Sequence, residues 1–204
     1  MFNVRSIIAN NNRTFYNYRT DERFSIVPRI IIFVFISAAV ALSNFIRPSD
    51  FLSAVLAVES ILVGFSFSVL FFLLSNADHS KKNYASIEEE LADQKLTVLA
   101  REIFYNVSYF NMVSVFVVLM ALLLLFPTFC VSALHEFFAS LSALPNAKPL
   151  LSSTRSFLGA AVRAAFAFLL LESMYTFLRT VGRVSFYFDG RIAQQSKATE
   201  RDSG

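Results

Sequence analysis

Three ionisable residues lie inside otherwise apolar stretches: Glu59, Arg163 and Glu172. Inside a membrane span such a group costs at least about 2.5–3.5 kcal/mol on insertion scales, so it faces protein or water and marks an ion pair, a proton relay or an ion path. Glu59 lies eight residues into one apolar run and Arg163 six residues into another. At 1.5 Å per residue both come roughly 9–12 Å below the same boundary. Equal depth and opposite charge predict a Glu59–Arg163 pair, within one subunit or between two. Its chemistry is open: a buried pair that fixes helix register and oligomer geometry, or part of a polar gate. Glu172 and Arg179 are seven residues apart, almost two turns, and so share a helix face nearer the other boundary. Nine residues separate Glu172 from Arg163, which puts those two on opposite faces. A helix that presents polar groups in two directions suits an oligomer.

Other chemistry is sparse. His135-Glu136 opens like a zinc-protease helix, but the second histidine is missing because position 139 is Ala139. His79 is the only other histidine, and the lone Cys130 excludes an intrachain disulfide. No paired-carboxylate, histidine–cysteine or metal-ligand cluster falls on one face, so the sequence reads as non-enzymatic, with no cofactor and no metal. Ser60, Gly64 and Ser68 form a small-xxx-small stripe that allows close helix approach, within the chain or between copies. Gly159, Ala161, Ala164 and Ala165 offer a similar surface on the last run.

The elements that carry these residues are four apolar runs, Arg29–Ile46, Phe51–Ser75, Tyr109–Phe129 and Phe157–Leu178. A bilayer core about 30 Å thick needs roughly 20 helical residues to cross. Charged residues are only 16% of the chain, against about a quarter in soluble domains. The expected fold is therefore all-α: an integral membrane four-helix bundle over 29–178. Tryptophan is absent, so Tyr16, Tyr18, Tyr105, Tyr109, Tyr175 and Tyr187 are the candidates for an interfacial belt.

Charge sets the orientation. Arg5, Arg13, Arg19 and Arg23 precede the first run and Arg29 opens it; Lys81, Lys82, Lys95 and Arg101 follow the second; Arg179, Arg183, Arg191, Lys197 and Arg201 follow the fourth. The other two loops hold only Arg47, Lys148 and Arg155. The positive-inside rule places the rich side in the cytoplasm. Both termini and the 76–107 segment are then cytoplasmic, which requires an even number of crossings. The expected locale is a bacterial inner membrane, and the modest net charge of +3 points to anionic headgroups rather than direct nucleic-acid binding.

Outside the spans, residues 1–28 read as a polar cytoplasmic segment, 130–156 as an outer loop with an interfacial helix, and 179–204 as a basic cytoplasmic tail. The first run begins helically near Pro28, with Arg29 snorkelling to the headgroups. Ser86 and Glu89 fit a capping box. From there a continuous helix is expected to about Phe126, with Pro127 at its end and its first half extending into the cytoplasm. That extension either packs on the rest of the chain or docks a cytoplasmic protein.

In this layout of four spans, cytoplasmic ends and a charged Asn76–Val107 segment feeding the third span, the chain resembles the small membrane subunits of bacterial anti-phage systems, of the Kiwa type. The resemblance lies in general architecture and carries no site residue over. It implies a homotetramer that senses phage at the inner membrane and works with a DNA-binding cytoplasmic partner. The residues themselves support two functions: an oligomeric sensor or anchoring subunit, or an oligomeric channel or pore.

Overall fold

The computed structural model describes residues 4–15, 25–43, 49–75, 87–125 and 148–202. They form five helices, and no strand occurs among them: α1 (Val4–Arg13), α2 (Val27–Leu42), α3 (Ser49–Ser75), α4 (Ile87–Leu125) and α5 (Lys148–Asp202). The expected all-α class holds for these residues. The chain is a membrane protein by the length and apolarity of its helices: α3, α4 and α5 each contain a stretch able to cross a membrane. That makes three such helices where the sequence reading counts four. The first apolar helix, α2, has 16 residues and spans about 24 Å, short of a hydrocarbon core. Pro28 sits in its first turn, as expected, and the Ser43 N–H closes its end on the Ala39 carbonyl.

Two helices differ from expectation more sharply. Helix α5 has 55 residues, about 82 Å, and so continues through the supposed basic tail and into part of the supposed outer loop. Pro149 stands in its first turn, where a missing N–H costs nothing. Beyond Leu178 the composition becomes polar, but the isolated Gly182 and Gly190 are too weak to stop a helix. Helix α1 lies in the segment read as merely polar; its signal was the helical spacing of Val4, Ile7, Ile8 and Asn11. The capping Ser86, the loop with Cys130, His135, Glu136 and Ala139, and His79, Arg47 and Pro127 lie outside the described residues.

The chain divides into two compact units. One comprises Met1–Phe24, Leu62–Met112 and Met174–Gly204. Its core is Val69, Leu73, Leu96, Leu99, Ile103, Val107 and Tyr187, flanked by Leu70, Phe72, Ala100 and Val184. Tyr187 is therefore a core residue rather than part of an interfacial belt. Tyr175 stacks on Phe15, with ring centroids 6.4 Å apart. Gly190 has Leu96 close against it, since an added Cβ would meet a Leu96 methyl at 2.6 Å. Gly190→Ala should be nearly neutral, because that methyl can rotate away and alanine favours helix. Gly190→Val should lower stability by about 1–3 kcal/mol through overpacking, read by thermal melts in detergent.

The other unit comprises Ser25–Ile61 and Val113–Ser173. Its interior is built differently. Ala41, Leu52, Val55, Val113, Val117, Ala121, Phe166 and Ala167 are buried beside Ser37, Glu59, Ser114, Glu172 and Ser173. Small and polar side chains thus share this interior with a few large apolar ones.

Candidate functional site

Helix periodicity explains how α3 brings Glu59 inward. Leu52, Val55, Glu59, Ser66, Val69 and Leu73 are its buried residues, and all fall within about 100° of arc. Glu59 is 0% exposed. The Ser114 hydroxyl on α4 donates to its Oε2 at 2.7 Å. On α5 the Ser173 hydroxyl donates to Oε1 at 2.9 Å, with Oε2 at 3.1 Å. The two serine oxygens are 3.3 Å apart. Three helices therefore close a cluster of four oxygens, two from the carboxyl group and two from the serines.

Arg163 is not part of this cluster. Glu59 meets Ser173, 114 positions on in sequence, and Arg163 lies ten residues earlier on α5, about 15 Å along its axis. In the other unit the same pair of helices keeps nearly that offset, with Phe65 against Phe177 and Phe72 against Tyr187 and Phe188. Counting depth from Phe51 and Phe157 sets Glu59 level with Arg163, whereas the register between α3 and α5 sets Glu59 level with Ser173. The Arg163 Nε is buried without a hydrogen-bond partner among the described residues.

Glu172 takes a partner that the sequence did not suggest. Arg29 on α2 donates from Nη2 to Glu172 Oε1 at 3.2 Å, with the two side chains only 15% and 5% exposed. Arg29 thus turns inward rather than snorkelling to headgroups. Its guanidinium also stands 5.9 Å from the Phe33 ring centroid.

Arg179 belongs to a second polar cluster, in the unit with the N-terminal segment. There Arg179 and Arg183 both donate to the Thr14 carbonyl, and Arg179 also donates to the Thr14 hydroxyl. Arg183 donates to Glu102 Oε2 on α4 at 2.8 Å. The Thr14 hydroxyl donates to the Asn11 carbonyl at 2.7 Å and lies 3.0 Å from Asn106 Oδ1. The Arg179 guanidinium covers the Phe15 ring at 3.7 Å. Farther along α5, Arg191 bonds Asp93 Oδ1 at 3.2 Å and the Tyr187 hydroxyl at 3.1 Å. The contacts at Thr14 fasten the end of α1 to α4 and α5, and the ion pairs of Arg183 and Arg191 join α4 to α5.

The stripe of Ser60, Gly64 and Ser68 is exposed and centred nearly opposite the buried arc of α3. Ser60 donates to the Leu56 carbonyl and Ser68 to the Gly64 carbonyl, and nothing lies within 4 Å of a Cβ placed on Gly64. It is not used for packing within the described chain. Helix α4 also leaves a face open: Ile87, Leu91 and Val98 are exposed within about 40° of one another, opposite Leu96, Ile103 and Val107.

Sequence reasoning missed Arg29, Ser114, Ser173, Thr14, Glu102 and Arg183. For the two serines a signal existed, since each is a hydroxyl inside an apolar run. The cross-helix partners carried none, because one sequence does not disclose register between helices. Among the described residues, no three or more His, Cys, Asp or Glu come together as a metal site. No family model matches the chain, and neither a curated protein nor a solved structure matches it.

Proposed function

We propose that this chain is a non-enzymatic, multi-pass subunit of a bacterial inner membrane, a homo-oligomeric sensor or anchor that engages a cytoplasmic protein. One observation carries the reading. The arginines on the cation-rich side form an ordered set of contacts, Arg179 and Arg183 on Thr14, Arg183 on Glu102 and Arg191 on Asp93. Such a set suits an aqueous face, and supports a cytoplasmic location for both termini and for the extension of α4. A cytoplasmic pair of ends needs an even number of crossings, so α2 is the fourth. A helix of about 24 Å crosses by local thinning of the bilayer.

Two features support self-association, with four copies as the working number. The exposed Ser60, Gly64 and Ser68 stripe suits close helix contact, and the buried Arg163 Nε, without a partner among the described residues, suits an acceptor supplied by another copy. The exposed Ile87, Leu91 and Val98 face, flanked by exposed Glu88 and Glu90, suits a protein partner at 76–107. The layout resemblance to anti-phage membrane subunits supports a role in phage defence.

Light scattering of the detergent-solubilised protein should give about four times the 23.0 kDa chain mass. Arg163→Ala should shift that mass downward at equal concentration. A cytoplasm-dependent fluorescent reporter fused after Gly204 should light up, and reconstituted bilayers should show no conductance. A monomer mass with a dark reporter would overturn the proposal, and steady single-channel currents would favour a pore.

A further inference from the structure

Among the described residues, no protein cation is a partner of Glu59. The described contacts of its carboxyl group are the Ser114 and Ser173 hydroxyls. On α3 itself, Asp50 is exposed and more than two turns away. The part of α4 in this unit, Val113–Leu125, has no ionisable residue. Helix α2 contributes Arg29, which is engaged with Glu172 of α5. The remaining basic residues of α5 in this unit are Lys148, Arg155 and Arg163, all ten or more residues before Ser173. A full negative charge at 0% exposure, inside a helix fit to span a membrane, needs compensation close by.

We propose that Glu59, Ser114 and Ser173 form an intramembrane binding site for one monovalent cation, H+ or Na+. The chemistry suits either occupant. A serine hydroxyl both donates and accepts. With a proton bound, the carboxyl O–H donates to one serine oxygen and the serine protons turn to the other carboxyl oxygen and to the helix carbonyls. With Na+ bound, two carboxylate and two hydroxyl oxygens supply a hard, all-oxygen donor set of the kind that alkali and alkaline-earth cations take. The three ligands come from three helices, so occupancy couples their packing. The site stands on the membrane reading of α3 but not on the proposed sensor role or on oligomer number.

The full-length protein in lipid vesicles is treated with dicyclohexylcarbodiimide; the O–H of a protonated carboxyl group in apolar surroundings adds across one of its C=N bonds, and the acyl group of the resulting O-acylisourea migrates from oxygen to nitrogen to give a stable N-acylurea with no leaving group. Peptide mass spectrometry then locates the adduct. A proton site labels at Glu59 equally in NaCl and in choline chloride, and the rate falls as the medium becomes alkaline. A sodium site labels in choline chloride and is protected in NaCl. In both cases Glu59→Gln keeps the wild-type elution volume and loses the adduct, and Ser114→Ala with Ser173→Ala changes its rate several-fold. A ligand that binds only the folded state also raises the melting temperature. The melt should therefore respond to acid, or to Na+ over choline, in the wild type and not in Glu59→Gln. Absence of both the Glu59 adduct and this Glu59-dependent shift overturns the site. Extraction of the folded chain without detergent would instead overturn the membrane reading.

Discussion

Arg183→Ala lowers the stability of the protein by about 3–5 kcal/mol, the usual cost of removing one partner from a buried ion pair. The Arg183 and Glu102 side chains are only 11% and 12% exposed, and their contact is 2.8 Å. Truncation leaves the Glu102 carboxylate without this cation. It also takes one of two arginine donors from the Thr14 carbonyl. Most of the loss is the cost of a buried carboxylate deprived of this cation, so the double variant Arg183→Met with Glu102→Leu should recover to within about 1 kcal/mol of wild type. Thermal unfolding in detergent, followed by circular dichroism, tests both. If the double variant melts as low as Arg183→Ala alone, the ion-pair explanation fails and packing of the arginine stem is the cause.

Phe110→Ala should cost nearly as much. Phe110 is 1% exposed, and its ring centroid lies 5.5 Å from that of Phe177. A Phe-to-Ala change in a packed interior costs about 3–5 kcal/mol in soluble proteins. Within a lipid-facing stretch the transfer from water falls away and the cavity and lost dispersion remain. The expected loss is therefore near the lower end, about 3 kcal/mol. Phe71→Ala is the matched control: Phe71 is 70% exposed, and its loss should stay within about 0.5 kcal/mol. The same melts decide, and equal losses at the two positions would show that Phe110 is not packed as described.

What the sequence disclosed follows from which forces are local. Helix α4 was expected from Ser86 to Phe126 and is observed over Ile87–Leu125, because an acidic start, unbroken apolar spacing and a terminal proline are all visible in one segment. Helix α5 was misjudged because apolarity ends at Leu178 while helicity continues through Arg179, Arg183 and Arg191 to their partners on other segments. Tertiary contacts sustain that half of the helix. The buried status of Glu59 and Glu172 was foreseeable from their apolar neighbours. Their partners were not: pairing by depth assumed that both helices start level, and an offset of ten residues puts Ser173 where Arg163 was expected. The Ser60, Gly64 and Ser68 stripe was legible as a pattern, but only the three-dimensional arrangement shows which side of α3 it occupies.

The fastening at Thr14 has an evolutionary corollary. Its principal acceptor is a peptide oxygen, which every amino acid supplies, so drift at position 14 can remove the hydroxyl without dissolving the tether to Arg179 and Arg183. Proteolytic trimming past that point would strip the acceptor from both arginines at once. The attachment is therefore robust to point mutation, and it lasts as long as the buried chain through Thr14 stays whole.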